Sequence, residues 1–214
     1  MRRIVVLLAC ILALAACGGS SKKSSTSSPT SGAAGTSVYF APLPPNPMAL
    51  ARVAGLVPET AERLQYHVHA HLDIFVNGQA KLIPGGIGIQ INDPAVHSGT
   101  VSNLPAYGGI NPPCANPCIS PLHTHDVTGV LHTESATVKD NTLGQFFTEW
   151  AVPLSKTCVG TYCAPATPIK WYVNGKAFTG NPGTIDLSNL IEIAVVIGSP
   201  GPATIPSQFP QQPA

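Results

Sequence analysis

Residues from Tyr66 to Val76 follow a strict two-residue pattern. The even-numbered positions are all apolar or aromatic, whereas the odd-numbered ones are polar except for Phe75. A period of two predicts a β-strand with one apolar face and one polar face. Asn77 and Gly78 follow, and both tolerate the positive φ of a tight turn. We therefore predict a hairpin whose return strand, Lys81–Ile91, bends at its proline and glycines.

Two more hairpins and a final strand are predicted from similar patterns. Leu122–Ser135 forms a hairpin around Asp126–Gly129, and Ile169–Thr179 forms another around Asn174-Gly175. Leu190–Ile197 is almost continuously apolar, which is typical of a buried strand. The expected fold is mainly β, a β-rich α+β class in which antiparallel hairpins form a small sandwich or barrel-like sheet with short helices.

Three short helices are predicted, at Pro47–Gly55, Pro58–Gln65 and Thr142–Trp150. Proline suits the first helical turn, and Thr142 suits an N-cap. Residues 92–119 contain several prolines and glycines and have little periodicity. We expect this segment to be a long loop, and such loops are often functional.

The N-terminus has the pattern of an export signal. Arg2 and Arg3 precede the apolar run Ile4–Ala13, which is too short for a membrane-spanning helix. The run leads to Leu14-Ala15-Ala16-Cys17-Gly18, which resembles the lipobox of bacterial lipoproteins. This resemblance implies removal of residues 1–16 and lipidation of Cys17, so that the protein is anchored by lipid at the extracytoplasmic face of the cell membrane.

Composition divides the rest of the chain into three parts. Residues 17–37 are rich in Ser, Thr and Gly and predict a lipidated flexible linker. Residues 38–198 are expected to form a single β-rich domain that contains the histidines, and residues 199–214 a loose Pro-rich tail.

The low charge of the chain limits its partners. Charged residues make up 10% of the sequence, against about 25% in an ordinary soluble domain. With 11 basic and 10 acidic residues there is no polybasic surface for nucleic acid. The predicted partner is the membrane, reached through the N-terminal lipid, and the sequence identifies no protein partner.

Four cysteines lie beyond the signal and the lipidation site. In an exported chain an even number predicts two disulfides, with three possible pairings among Cys114, Cys118, Cys158 and Cys163. The alternative is a metal site, because Cys114 and Cys118 precede His123 and His125 at a plausible ligand spacing.

Six of the seven histidines fall in two short segments. His67, His69 and His71 share one face of the first predicted strand, and His123-Thr124-His125 is followed by His132. Imidazoles buried in such numbers without partners would be unfavourable, which favours metal coordination over a hydrogen-bonded or exposed array. The predicted ligands are His67, His69, His71, His123, His125 and His132.

The turn chemistry makes His132 the least secure of these ligands. A type I turn with a bulge at Gly129 suits the second hairpin better than a two-residue loop, which would need positive φ at Val127. That turn pairs Thr124 with His132 and places His132 on the opposite face from His123.

Imidazole ligands with one or two carboxylates suit Zn, Cu, Ni or Fe, and with the cysteines paired in disulfides Cu(II) and Zn(II) are the leading candidates. A methionine-rich Cu(I) site is excluded because the only methionines are Met1 and Met48. Asp73, Asp126 and Glu134 are the carboxylates predicted to orient the ligands.

Two motifs carry a second resemblance. The His-x-His-x-His run at His67–His71 and the His-Thr-His-Asp run at His123–Asp126 are similar to those of an uncharacterised family of exported bacterial proteins, over roughly residues 60–200. No activity is implied by this resemblance.

The leading functional hypothesis is a lipid-anchored, extracytoplasmic protein that binds Cu or Zn through clustered histidines. One alternative is a metal-dependent enzyme, a hydrolase, lyase or copper redox enzyme, in which Glu134, Asp126 or Asp73 acts as the base. Another is a metal-free interaction module of the cell envelope, with the histidines as a pH-sensitive face.

Overall fold

The computed structural model describes residues 38–211 of the chain. The helices in this part are α1 (Pro47–Val53) and α2 (Leu143–Glu149), with a 3-10 turn at Pro182–Thr184. The strands are β1 (Tyr66–Val76), β2 (Gln79–Lys81), β3 (His97–Val101), β4 (Leu104–Gly108), β5 (Leu122–His123), β6 (Val130–Ser135), β7 (Cys158–Val159), β8 (Tyr162–Cys163), β9 (Ile169–Val173), β10 (Lys176–Phe178) and β11 (Glu192–Ile197). The predicted signal at 1–16, Cys17 and the linker at 17–37 lie outside the described residues.

One mixed sheet of seven strands organises the domain, in the order β10-β9-β11-β1-β6-β5 with β2 also paired to β1. β1 is antiparallel to β6 and β2 but parallel to β11, with His71 opposite Glu192. The β-rich α+β class is confirmed. The sheet does not close into a barrel, and the parallel pairing of the first and last strands was not anticipated from the hairpins.

The alternation along β1 separates two environments. Val68, Ala70, Leu72, Ile74 and Val76 are buried, as the two-residue period predicts. The same apolar core contains Phe146, Phe147 and Trp150 of α2. The opposite face of β1 therefore carries the histidines.

The helix α2 begins where the sequence predicts. The Thr142 hydroxyl accepts a hydrogen bond from the Gln145 backbone N–H, and the Gln145 side chain accepts one from the Thr142 backbone N–H. This capping box satisfies N–H groups that the first helical turn leaves unpaired. The Phe147 ring then packs against Trp171 of β9, with ring centroids 6.3 Å apart.

The predicted helix at residues 58–65 is wrong. The backbone N–H of Glu59 donates to the Ile119 carbonyl at 2.7 Å, and the N–H of Cys118 donates to the Glu59 carbonyl at 2.8 Å. The N–H of Cys114 also donates to the Thr60 carbonyl. These bonds to a segment distant in sequence take the place of helical hydrogen bonds and override the local signals for a helix.

The segment at residues 92–119 is not one long loop, as was predicted. It contains the hairpin β3–β4, whose turn residues Ser102 and Asn103 have φ values of 51° and 61°. The predicted return strand is also shorter than expected. Of the predicted strand at residues 81–91 and the turn before it, only β2 pairs with β1, and the chain then turns so that Gly86 and Ile87 hydrogen-bond to Thr124.

Both disulfides close short loops, Cys114–Cys118 and Cys158–Cys163. This pairing selects one of the three possibilities left open by the sequence. Thiolate coordination by Cys114 and Cys118 next to His123 does not apply to this oxidised form.

The segment following β11 packs against the domain rather than extending as a loose tail. Its Ser199 N–H donates to the Asn77 side-chain oxygen at 3.2 Å. Further along, the Phe209 ring lies parallel to His69, with centroids 6.4 Å apart. None of the helices within residues 38–211 is both long and apolar enough to cross a membrane.

Glu149 is an ionisable residue inside the apolar core. Its side chain is fully buried, and Ser120 is the one side chain whose contact opposes the effect of burial on its pKa. Burial raises the pKa of Glu149 to about 8 because the ionised form loses its hydration.

We expect Glu149→Gln to remove a pH-dependent loss of stability. The folded protein holds this proton up to about pH 8, whereas the unfolded chain releases it near the ordinary value of 4.5. Between these values rising pH favours unfolding by about 1.4 kcal/mol per pH unit. The free energy of unfolding of the wild type should therefore fall relative to that of the variant, measured by urea denaturation at pH 5, 6, 7 and 8. An equal fall in both proteins would contradict the assignment, and Asp186→Asn at an exposed carboxylate is the control.

Candidate metal centre

Strand pairing places three histidines in one row across the sheet. His69 of β1 lies opposite His132 of β6, and His132 lies opposite His123 of β5. Directly opposed residues of neighbouring strands project from the same face. Two residues further along β6, on the same face, Glu134 lies opposite His67. The polar face of β1 thus continues across two more strands.

The register predicted for the second hairpin is wrong, and the correction brings His132 to the same face as His123. The structure pairs His123 with His132, whereas the turn chemistry predicted Thr124 opposite His132. Thr124 is committed elsewhere: its N–H donates to the Ile87 carbonyl and its hydroxyl to the Pro84 carbonyl. Because β5 leaves the ladder there, residues 124–129 form a wider connection that does not impose the register of a tight turn.

Four imidazoles surround one carboxylate oxygen, Oε1 of Glu134. It lies 3.3 Å from Nε2 of His67, 3.6 Å from Nδ1 of His132, 3.8 Å from Nε2 of His123 and 3.9 Å from Nε2 of His125. The Glu134 side chain is only 5% exposed. Nitrogen and oxygen donors from three strands and the segment after β5 therefore converge on one buried point.

Backbone carbonyls fix the orientation of two of these rings. Nδ1 of His123 donates to the Ser120 carbonyl at 2.9 Å, and Nδ1 of His125 donates to the Tyr107 carbonyl at 2.7 Å. A carbonyl only accepts, so in the neutral rings the hydrogen is on Nδ1 and the lone pair on Nε2. Histidines that bind a metal through one ring nitrogen typically donate a hydrogen bond from the other, as Nδ1 does here.

The distance between the two free lone pairs fits an ion. Nε2 of His123 and Nε2 of His125 are 3.2 Å apart. Two nitrogens that bind one Zn(II) at 2.0–2.1 Å with a tetrahedral angle lie about 3.3 Å apart. Without a proton or a cation between them, two such lone pairs repel each other.

Two further atoms of the cluster lack a hydrogen-bond partner. Within the described part of the chain, Nδ1 of His132 and Oε2 of Glu134 are buried and make no hydrogen bond. Buried polar atoms are rarely left in this state because each loses its hydration without replacement. Coordination of an ion would satisfy Nδ1 of His132, which lies 3.6 Å from Oε1 of Glu134, so the donor set fits a metal.

The electrostatics keep most of the rings neutral. Burial, together with the His132 and His67 rings, lowers the pKa of His69 to about 4. Burial, reinforced by nearby imidazoles, also lowers the pKa values of His123 and His132. Neutral imidazoles are the form that binds a metal.

The pKa values of His125 and Glu134 shift against the effect of burial. Burial acts to lower the pKa of His125, but Glu134 and the Tyr107 carbonyl outweigh it and the pKa is raised. Burial acts to raise the pKa of Glu134, yet the surrounding histidines outweigh it and hold the pKa well below its usual range. The carboxylate therefore stays ionised, as a metal ligand must be.

The donor atoms within residues 38–211 that lie within 4.8 Å of one another form three sets. The sets are His123, His125, His132 and Glu134; His67, His69 and His132; and His71, Asp73 and Glu192. Five of the six predicted ligands are thus brought together. His71 is held in the separate third set.

His71 is engaged by protein groups at both ring nitrogens. Nε2 donates to the Thr128 carbonyl at 2.8 Å, and Nδ1 is 2.8 Å from a carboxylate oxygen of Glu192. Burial acts to lower the pKa of His71, but Glu192 outweighs it and the pKa is raised. Because a carbonyl and a buried carboxylate already engage both ring nitrogens, we leave His71 out of the proposed ligand set.

The three carboxylates predicted to orient ligands have different positions. Glu134 lies at the centre of the cluster, where it can bind an ion itself. Asp73 is 3.6 Å from His71, and Asp126 accepts a hydrogen bond from the Thr128 backbone N–H. The spacing His132-x-Glu134 on one strand was the sequence signal for the central role of Glu134. The contributions of Glu192 and of the Ser120 and Tyr107 carbonyls had no comparable signal.

A groove of about 580 Å³ reaches the cluster from the surface. Its wall includes His67, His125 and Glu134, together with Tyr107 and Gly108 of the β3–β4 hairpin. The hairpin that the sequence did not predict therefore forms one side of the access to the histidines.

Comparison of the chain with protein-family models, with curated proteins and with solved structures finds no match. What the site can do is therefore argued from its own geometry. The structure contains buried histidine and glutamate groups that could hold a metal ion.

We expect His71→Ala to destabilise the fold by about 3 kcal/mol, because it leaves the buried Glu192 carboxylate without its partner. Thermal or urea denaturation measures this loss. His97→Ala, at an exposed position on β3, is the matched histidine control and should change stability little. If both variants are equally stable, the His71–Glu192 pair does not have the structural role assigned to it.

Proposed function

We propose that this protein binds a divalent transition-metal ion, Cu(II) or Zn(II), through His123, His125, His132 and Glu134. The observation that carries the proposal is the convergence of these donors on one buried point, with Nδ1 of His123 and His125 tied to carbonyls. A purely structural histidine array would not need the unsatisfied Nδ1 of His132.

The donor chemistry supports Cu(II) and Zn(II) over softer ions. The set contains three imidazoles and one carboxylate, and the four cysteines within residues 38–211 form disulfides. Thiolate and thioether ligands would favour Cu(I), whereas nitrogen and oxygen donors suit Cu(II) and Zn(II). The role proposed is capture and retention of such an ion.

We further propose that the protein acts outside the cytoplasm while anchored to the membrane by lipid on Cys17. The lipobox-like sequence supports the anchor, and the two disulfides are consistent with an oxidising compartment. A tethered ion-binding domain would sample ions that reach the cell surface.

A metal-dependent enzyme is the second candidate, and the groove at His67, His125 and Glu134 is the observation that favours it. Catalysis by a bound ion requires an open position for water. Water-proton relaxation of the Cu(II)-loaded protein tests for an exchangeable water. If no coordinated water exchanges, the enzyme candidate is excluded and the binding function stands.

The binding proposal is tested with His123→Ala and His125→Ala. Each variant removes one donor, and we expect the dissociation constants for Cu(II) and Zn(II) to rise more than about 100-fold, beyond the usual effect of losing an orienting partner. Competition titration with a chelator, on protein purified without a histidine tag, measures the affinity.

His97→Ala is the control for these ligand variants because it removes an exposed imidazole near the groove but outside the cluster. Affinities equal to that of the wild type in all three variants would overturn the proposed site. So would a wild-type protein that takes up no ion after reconstitution.

A glycine pair on the β3–β4 hairpin gives an independent test of how His125 is positioned. A Cβ atom added at Gly108 would lie 2.5 Å from Nδ1 of His125, whereas one added at Gly99 meets no described atom within 4 Å. Gly108→Ala should therefore push the ring away from the Tyr107 carbonyl and weaken ion binding about 10-fold or more, as loss of an orienting contact does. Gly99→Ala, on the same hairpin, should bind like the wild type. Equal affinities for both variants would show that this close approach does not position His125.

A further inference from the structure

The histidine cluster contains more donors than one tetrahedral ion can use. His123, His125, His132 and Glu134 already supply the four ligands of a tetrahedral site. His67 and His69 remain, and with His132 they form a second set of mutually close donors. No set within the described residues combines both histidine pairs, and His132 is the member that two sets share.

The His132 ring lies between the two pairs. Its centroid is 4.3 Å from that of His125 and 5.5 Å from that of His123. On the other side it is 4.5 Å from the His69 centroid and 5.9 Å from the His67 centroid. This position follows from the strand order, because β6 runs between β1 and β5.

The second pair is also arranged for an ion. Nε2 of His67 and Nε2 of His69 are 2.8 Å apart. Two nitrogens at about 2.0–2.1 Å from one ion lie about 2.9 Å apart when they subtend a right angle. A direct hydrogen bond between the two rings would give a similar distance, so the test must separate the two arrangements.

We propose that the cluster is a two-ion centre in which His132 bridges both ions. Nδ1 of His132, which faces Glu134 at 3.6 Å, binds the first ion with His123, His125 and Glu134. Nε2 of the same ring binds the second ion with His67 and His69. With bonds of about 2 Å at each nitrogen, the ions would lie roughly 6 Å apart. This inference rests on the proposed metal-binding function and extends it.

Binding of the second ion has a defined proton balance. A neutral His132 ring carries one hydrogen, on the nitrogen that does not bind the first ion. The N–H bond breaks, its electron pair forms the bond to the second ion, and the proton passes to solvent. No oxidant or reductant is required.

The two ions would differ in access. His123 is fully buried, whereas the His67 side chain is 37% exposed and lines the groove. The outer ion should therefore exchange with external ligands faster than the inner one. The centre would hold one ion firmly and exchange the other through the groove.

The experiment loads full-length wild-type protein with Cu(II) and measures metal content together with the electron paramagnetic resonance signal. We expect two ions per chain and a double-integrated signal well below two independent spins, because a bridging ring couples them. Two ions with two full, uncoupled spins would overturn the bridge.

The double variant His67→Asn/His69→Asn distinguishes the sites. We expect it to retain one Cu(II) with the affinity of the first wild-type site and to show an uncoupled signal. Loss of both ions in this variant would overturn the division into two sites, and the wild-type measurement does not depend on the variant being folded.

The remaining outcomes distinguish failure of the two-ion proposal from failure of the proposed metal-binding function. One ion per wild-type chain, unaffected by the double variant, would refute the second site and leave the first intact. No ion in the wild type would refute both. His97→Ala should match the wild type in metal content and in coupling, and any other result for this control would argue against the assigned donors.

Discussion

The burial of one face of β1 is the constraint on which the site depends. Val68, Ala70 and Leu72 pack in the core, so the residues between them must project from the opposite face. A slip of one residue in this strand would drive the imidazoles into the apolar layer and expose that layer to water. The hydrophobic free energy of the core therefore fixes the orientation of His67 and His69 before any ion is bound.

The second constraint is electrostatic. Imidazoles crowded on a half-buried sheet face cannot all be charged, and burial, followed by the His132 and His67 rings, lowers the pKa of His69. A single ionised carboxylate, Glu134, lies among four rings and leaves lone pairs directed at a common point. In water these groups would be solvated separately, whereas in the fold they are held together with two atoms unsatisfied. Such an arrangement is costly for a fold without an ion and favourable for one that binds it.

Segments outside the seven-stranded sheet orient two of the histidine rings. The β3–β4 hairpin supplies the Tyr107 carbonyl that orients His125, and Gly108 allows the close approach of that ring. The turn after the Cys114–Cys118 loop supplies the Ser120 carbonyl for His123. Strands of the main sheet thus carry His67, His123, His132 and Glu134, while the Tyr107 and Ser120 carbonyls fix which ring nitrogen of His125 and His123 carries the hydrogen.

Local patterns determined a large part of this protein. The two-residue period defined β1 to its end residues. Thr142 and Gln145 defined the start of α2, and Asn174-Gly175 defined the β9–β10 turn. Each of these features depends on residues that are neighbours in sequence. Only the tertiary structure decided the pairing of His132 with His123 and the contact of His71 with Glu192. These depend on hydrogen bonds between segments far apart in the chain, such as those of Thr124 to Pro84 and Ile87, and on which strands become neighbours. A single sequence carries no local signal for either.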